Sequence, residues 1–255
     1  MKKTDEITIK TPAQMAGCRL AGEKASEVLR IMCGSVRPGV TTKALDDLAR
    51  DTMAALGCKS ADYGYYGYPG QTCISVNDAV IHGVPSEKVV IRDGDLVSID
   101  ITVECDGFVG DNARTVIVGE GTPELAAFVD WTEQALKAGI AAARAGNRVG
   151  DISHAVETVA SARGLGIVRE YVGHGCGLRI HEGPEIPNYG APHRGPLLRE
   201  GMVVCIEPML TLGSRRIKTL KDGWTVVTAD GSMACHAEQM VAICASGPAE
   251  ILTPR

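Results

Sequence analysis

The sequence predicts an α+β fold in which helices pack on a largely antiparallel sheet. Two helical segments followed by strand-like segments occur twice along the 255 residues. Asp-Gly pairs between strand-like segments are typical of turns that join antiparallel neighbours. No low-complexity linker divides the chain. We therefore expect a single domain built from two similar halves.

Four helices have recognisable starts and ends. Thr11 and Pro12 suit an N-cap and a first helical residue, and Gln14 is placed for a capping box. Asp151 is the expected N-cap of the fourth helix. Apolar residues at helical spacing then run to a glycine or to a Gly-Asn-Arg turn. The predicted ranges are 11–34, 41 or 42–57, 122–145 and 151–164.

The strand-rich stretches follow each helical pair. Their predicted ranges are 72–81, 89–118, 202–212 and 224–244. A turn at Asp230-Gly231 is expected to pair the segment that contains Glu238 with residues 224–227, which would place Trp224 opposite Ala237. Each half thus consists of two helices followed by strands.

Composition excludes several classes of function. A net charge of -5 with no basic stripe argues against a nucleic-acid protein. The first fifteen residues lack the apolar core of a secretory signal, and no run approaches the roughly 18 apolar residues of a membrane span. Nine scattered cysteines without a Cys-x-x-Cys pair favour reduced, buried thiols over a disulfide framework or a zinc-thiolate site. We expect a cytoplasmic protein.

One hairpin carries two candidate metal ligands. Residues 96–103 alternate apolar with polar side chains, and Asp106-Gly107 is a strong hairpin turn. With that turn, Asp100 faces Ala113 and Thr102 faces Asp111, so the two aspartates are diagonal neighbours on one face, about 7 to 8 Å apart at the backbone. Two such carboxylates would repel unless a cation or a proton is shared. A solvated polar face is the alternative.

Further candidates lie in the second half. Glu207 ends an apolar run and precedes Pro208, and Glu238 lies in the final strand segment. His174 lies between glycines that allow close approach of a ligand. For Glu207 a capped loop is the alternative. His174, His181 and His82, each taken alone, also suit hydrogen-bonded structural histidines.

Taken together, these segments resemble type I methionine aminopeptidases of metallopeptidase family M24, from about Thr11 to the C-terminus. The order and spacing of the motifs all agree. The resemblance rests on Ser75-Val76-Asn77-Asp78, His82-Gly83-Val84-Pro85, Asp93-Gly94-Asp95, Asp100, Asp106-Gly107-Phe108-Val109-Gly110-Asp111, Gly173-His174-Gly175, His181-Glu182, Ile206-Glu207-Pro208-Met209, Asp222-Gly223-Trp224 and Glu238.

The resemblance implies a pita-bread fold, with pseudo-symmetric halves at about 11–118 and 122–250, around two divalent cations. Asp111 and Glu238 would bridge both ions, Asp100 would chelate one, and His174 with Glu207 would complete the other. Such a donor set suits Co, Mn, Fe(II) or Zn. The implied enzyme is a methionyl aminopeptidase that acts as a cytoplasmic monomer on nascent polypeptide N-termini, including those at the ribosome.

The resemblance also implies roles for the side chains around the cations. Glu207 would shuttle the proton, while His82 and His181 would contact the peptide and stabilise the tetrahedral intermediate. The methionine pocket would be formed by Tyr65, Tyr68, Cys73, Ile180 and Trp224. Aromatic rings and sulfur suit a thioether.

The sequence departs from the family pattern near the last ligand. Gln239-Met240 replaces His-Thr after Glu238, residues 234–237 differ from the usual Ser-Ala-x-aromatic, and Ile180 replaces phenylalanine. These changes bear on pocket shape, since no predicted ligand is altered. The alternatives are a proline-specific metallopeptidase, which usually carries a large extra N-terminal domain, and a non-catalytic homologue. Only 25 residues lie between His181 and Glu207, which argues against the insertion of type II enzymes.

Overall fold

The computed structural model describes residues 6–255, which fold into four α-helices and fifteen strands. The helices are Pro12–Ser35 (α1), Thr42–Ala55 (α2), Pro123–Ala142 (α3) and Val149–Ala162 (α4). The strands are Lys59–Ser60 (β1), Cys73–Val76 (β2), Ala79–Ile81 (β3), Leu96–Cys105 (β4), Phe108–Ile117 (β5), Gly166–Ile167 (β6), Gly173–Gly175 (β7), Glu182–Ile186 (β8), Val203–Ile206 (β9), Met209–Thr211 (β10), Ile217–Thr219 (β11), Val226–Thr228 (β12), Ala234–His236 (β13), Glu238–Ala242 (β14) and Glu250–Ile251 (β15). The predicted α+β class is confirmed.

Local signals fix the start of α1. The Thr11 hydroxyl accepts a hydrogen bond from the backbone N–H of Gln14 at 3.3 Å, and the Gln14 side chain accepts one from the N–H of Thr11 at 2.9 Å. Pro12 is the first helical residue. This is the predicted capping box.

The start of α4 differs from the prediction. The N-cap is Arg148, and Asp151 is the third residue inside the helix, where its carboxylate accepts from the backbone N–H of Arg148 at 2.7 Å. The prediction that Asp151 is the N-cap is therefore wrong. An aspartate can satisfy the free N–H groups at a helix start from either position, so the sequence pattern alone does not separate them.

A nine-stranded sheet runs through both halves of the chain. Its central order is β1-β4-β5-β14-β9-β7-β8, with β2 beside β4 and β15 beside β14, and all these pairs are antiparallel. Two smaller sheets have the orders β13-β10-β6 and β11-β12-β3. The contact between β5 and β14 joins the halves. Their division at about 11–118 and 122–250 stays a prediction.

The predicted pairing across the Asp230-Gly231 turn is wrong. Strand β12 is hydrogen-bonded to β11 on one edge and to β3 on the other, whereas β13 pairs with β10. Trp224 therefore does not lie opposite Ala237 in a ladder. Because both edges of β12 are occupied, the chain beyond the turn has to pair elsewhere.

Each helical pair covers its own part of the sheet. Buried apolar residues of α1 and α2 pack against Ile99 and Ile101 of β4, while those of α3 and α4 pack against Val204 and Ile206 of β9. Side chains alternate between the two faces of a strand. Asp100 lies between Ile99 and Ile101, so its side chain points away from the helices. The same alternation directs residue 207 away from α3 and α4.

One cysteine pair contradicts the prediction of reduced thiols. Cys58, just after α2, forms a disulfide with Cys105 at the end of β4, and seven other cysteines are free. The bridge forms because β1 pairs with β4 and places Lys59 opposite Glu104. Sequence spacing could not reveal a contact that depends on this pairing.

Within residues 6–255 no helix is long and apolar enough to span a bilayer.

Candidate metal centre and substrate cavity

The hairpin of β4 and β5 has the predicted register. Asp100 pairs with Ala113 and Thr102 pairs with Asp111, on either side of the turn at Asp106-Gly107. The Thr102 hydroxyl donates a hydrogen bond to Asp111 Oδ1 at 3.2 Å. The two aspartates thus lie on the same face, with Asp111 held from one side.

Five neighbouring strands each supply one candidate ligand. In the sheet order β4-β5-β14-β9-β7, the residues are Asp100, Asp111, Glu238, Glu207 directly after β9, and His174. Glu238 pairs with Ala113 of β5, and Gln239 pairs with Ile206 of β9. The sheet therefore brings together side chains that are up to 138 positions apart in the sequence.

The five side chains form two groups that share one member. Ligand atoms of Asp100, Asp111 and Glu238 lie within 4.8 Å of one another, and so do those of His174, Glu207 and Glu238. His174 Nε2 is 3.4 Å from Glu207 Oε1 and 3.8 Å from Asp111 Oδ2. Glu238 belongs to both groups, which is the arrangement expected for a carboxylate that bridges two cations.

Burial makes this cluster unfavourable without cations. Burial and the neighbouring carboxylates raise the pKa of Asp111 and Glu238 well above their ordinary values. Burial raises the pKa of Asp100 to about 6 and that of Glu207 to about 8. Glu238 Oε1 is buried and has no hydrogen-bond partner. The cluster offers four carboxylates and one imidazole, and one carboxylate oxygen has no partner. This donor set fits divalent cations, which would neutralise the carboxylates.

Metal-free protein is expected to lose stability as the pH rises from about 5 to 8. A carboxyl group whose pKa is raised by folding binds its proton more tightly in the folded chain. Its contribution is fully present below the ordinary pKa of about 4, and it disappears as the pH rises through the raised pKa. Asp100 and Glu207, with pKa values of about 6 and 8, define this window.

Thermal unfolding of extensively dialysed metal-free protein at several pH values measures this effect. In the Glu207→Gln variant the melting temperature should fall less between pH 5 and pH 8, because the amide does not titrate. A wild-type melting temperature that is independent of pH, or a variant with an unchanged slope, would contradict the assignment.

The cluster lies in a cavity of about 1230 Å³ that is also lined by His82 and His181. The Tyr65 hydroxyl is 3.0 Å from His181 Nδ1, and the rings of His181 and His174 have centroids 4.4 Å apart. His82 has a φ of 55° and packs edge-on against Tyr171. Burial and the nearby histidines lower the pKa of His82 to about 4, so its ring is neutral at pH 7.

The five residues predicted for the side-chain pocket line the same cavity. They are Tyr65, Tyr68, Cys73, Ile180 and Trp224. The rings of Tyr68 and Trp224 are nearly perpendicular, with centroids 5.2 Å apart. The Tyr68 hydroxyl donates to the carbonyl oxygens of Thr72 and Gly83. Cys73 pairs with Asp100, so the pocket begins directly beside the metal cluster.

Two site residues were not predicted. Asp62 lines the cavity with a buried carboxyl oxygen that has no partner, and burial together with Asp100 raises its pKa well above the ordinary value. His236 is buried, and its Nε2 lies 3.6 Å from Glu207 Oε2 with no hydrogen-bond partner. His236 lies in the segment that departs from the family pattern, and this departure is the sequence feature that could have indicated it. Asp62 carries no comparable signal in the sequence.

Comparison with known proteins identifies the family. The model of metallopeptidase family M24 matches residues 16–245. A methionine aminopeptidase of Clostridium acetobutylicum is 44% identical over 247 residues, which are 97% of this chain and 98% of that protein. The crystal structure of methionine aminopeptidase from Thermotoga maritima superposes with a TM-score of 0.96 at 40% identity, and the match covers 98% of this chain and 100% of that one.

A more distant structure shows how far the fold extends. Prolidase from Pyrococcus furiosus has a TM-score of 0.77 at 24% identity, with 97% of this chain covering 65% of the prolidase. At that identity the likeness concerns the fold alone, which is the pita-bread fold. The family match and the near full-length similarity at 44% identity place the chain in metallopeptidase family M24, among its methionine aminopeptidases.

Proposed function

We propose that this chain is a methionyl aminopeptidase that removes N-terminal methionine from peptides and nascent proteins with a small second residue. The observation that carries the proposal is Glu238, which is shared by two groups of potential ligands in a cavity that aromatic rings and sulfur also line. The chain's membership of the methionine aminopeptidases supports the choice of substrate.

The proposed metal centre holds two divalent cations, taken from Co, Mn, Fe(II) or Zn. Asp111 and Glu238 would bridge both ions, Asp100 would hold one, and His174 with Glu207 would hold the other. When bound, the cations supply Lewis acidity and lower the pKa of a water molecule towards about 7. Oxygen ligands outnumber nitrogen, which suits these metals better than copper.

The remaining chemistry falls to side chains around the cluster. Glu207 would take a proton from the attacking water and pass it to the leaving amine. His82, whose ring is neutral at pH 7, and His181 would donate hydrogen bonds to the peptide and to the negative charge that develops on the scissile carbonyl oxygen. The contact with Tyr65 orients the His181 ring.

The side-chain pocket would select methionine by shape and polarizability. The perpendicular pair of Tyr68 and Trp224 forms a rigid wall, because both carbonyl contacts of the Tyr68 hydroxyl are made inside the fold. Cys73 and Ile180 would contact the thioether. Sulfur and aromatic edges interact favourably with such a group.

We further propose that the enzyme acts as a cytoplasmic monomer on nascent N-termini, including those at the ribosome. The substrate supports action on nascent chains, because the unprocessed N-terminal methionine is present when a nascent chain emerges from the ribosome. Gel filtration and co-sedimentation with ribosomes test these two points separately.

A peptide panel tests the activity. Met-Ala-Ser should be cleaved with a kcat/KM about 100-fold above that of Met-Leu-Ser, because steric selection against larger groups commonly discriminates on this scale. Leu-Ala-Ser and an Xaa-Pro dipeptide are the controls for the first residue and for proline-specific activity. Metal-free protein should be inactive until Mn, Co, Fe(II) or Zn is restored.

Three outcomes would contradict the proposal. One is protein that binds fewer than one divalent ion per chain and releases no methionine with any of these metals. Another is faster cleavage of the Xaa-Pro dipeptide than of Met-Ala-Ser, which would favour the proline-specific alternative. The third is protein that binds metal without releasing methionine, which would favour a non-catalytic homologue.

A further inference from the structure

Two buried cysteines lie directly beside the metal cluster. Cys176 is two residues beyond His174, and Cys205 is two residues before Glu207. Alternate residues of a strand share a face. The N–H of Cys176 donates to the carbonyl of Val203 at 3.1 Å, so the pairing of these strands continues past β7. The two sulfur atoms therefore lie next to the candidate ligands, on the same face of the sheet.

The two thiols meet side chains already assigned to the cluster. The Sγ atoms of Cys176 and Cys205, a carboxylate oxygen of Asp111 and a ring nitrogen of His174 all lie within 4.8 Å of one another. The two Sγ atoms are therefore neighbours. The Cys205 thiol also lies near the carboxylate of Glu238. Two sulfurs, one nitrogen and one oxygen thus lie close together.

Most buried free cysteines in the described part of the chain lack such surroundings. Buried cysteines often act only as small apolar side chains, and Cys235 is an example, since it packs in the core beneath α3. Cys176 and Cys205 differ because a second sulfur, an imidazole and a carboxylate face them. Zinc takes four ligands of these kinds in a tetrahedron, at about 2.0 to 2.3 Å.

We propose that Asp111, His174, Cys176 and Cys205 form a third metal site, which takes a thiophilic divalent cation such as Zn²⁺. Each thiol releases its proton to solvent when the cation binds. Asp111 and His174 belong to this site and to the hydrolytic cluster. A cation held by the thiols therefore withdraws two ligands from the hydrolytic centre, and excess zinc inhibits the enzyme.

The binding of metal can be tested without catalysis. Metal-free full-length protein is titrated with Co²⁺, which produces a near-ultraviolet sulfur-to-cobalt charge-transfer band only when a thiolate is a ligand. We expect the band in the wild type and in the control Cys235→Ser. It should weaken in Cys176→Ser and in Cys205→Ser, which each keep one thiol of the site, and disappear in the double variant, with alanine variants as a second set if a serine variant misfolds by circular dichroism. No band in the wild type, or an equal band in the folded cluster variants, overturns the proposal.

The inhibition is tested on protein loaded with Mn²⁺. Each variant is compared with its own rate before zinc is added. The zinc concentration that halves the rate should rise about tenfold or more in the Cys176→Ser/Cys205→Ser double variant, since even the partners of metal ligands change affinity by such factors. Equal inhibition of all variants would overturn the sharing of ligands. This second experiment rests on the proposed function, and a complete lack of methionine release would refute that function while the cobalt band still decides the thiol site.

Discussion

Replacement of Asp111 with asparagine is expected to lower kcat/KM for Met-Ala-Ser by about a thousandfold or more. Asp111 lies in one ligand group with Asp100 and Glu238, and its Oδ2 is 3.8 Å from His174 Nε2. An amide keeps the shape but cannot offer two anionic oxygens to two cations. Loss of several kcal/mol of charge stabilisation corresponds to this factor, at about 1.4 kcal/mol for each tenfold change.

The same variant separates function from folding. The pKa of Asp111 is raised well above its ordinary value by burial and by Glu238, so removing the acidic group should not destabilise the metal-free fold. Bound metal is measured by elemental analysis and stability by thermal unfolding. Asp106→Asn is the matched control in the turn of the same hairpin, where Asn-Gly is equally favourable. Near-full turnover and metal content in Asp111→Asn would show that the bridging assignment is wrong.

Replacement of Lys10 with methionine is expected to destabilise the fold by about 3 to 5 kcal/mol, the usual cost of leaving one partner of a buried ion pair alone. Lys10 Nζ is 2.6 Å from Glu182 Oε2, and the two side chains are 1% and 0% exposed. The other oxygen of Glu182 accepts from the N–H groups of Leu178 and Arg179. The pair therefore fixes the segment that carries Ile180 and His181.

Thermal unfolding measures this loss, with an expected fall in melting temperature of about 2 to 4 °C for each kcal/mol in a chain of this size. The Lys10→Met/Glu182→Gln double variant should regain most of it, because a neutral amide oxygen still accepts from the two N–H groups. Arg19→Met breaks the exposed pair with Glu250 and should cost less than about 1 kcal/mol. Equal melting temperatures for the single and double variants would rule out the unpaired charge as the cause.

Structure that depends on neighbouring residues was accessible from the sequence. The capping box at Thr11 and Gln14 fixes the start of α1, and the Asp106-Gly107 turn fixes the register of β4 and β5. A two-residue turn determines the pairing of every residue along both strands. The diagonal placement of Asp100 and Asp111 therefore followed without any knowledge of the rest of the fold.

Predictions that needed distant pairing went wrong or relied on resemblance. Nothing near Asp230-Gly231 in the sequence reveals that both edges of β12 are already occupied. The Cys58–Cys105 bridge spans 47 positions and exists because β1 docks on β4. Residue spacing carries no information about such contacts, since the packing of the whole sheet selects them.

The sequence by itself determined the four helices, the hairpin and the pair of aspartates on one face, because each depends on local geometry. It also contained the family motifs, and the resemblance based on them indicated the remaining candidate ligands. Only the tertiary structure decided that Glu238 is common to two ligand groups, that His236 lies against Glu207, and that Cys176 meets Cys205. The physical reason is that the order of strands across a sheet is set by burial of the whole core, which no single segment specifies.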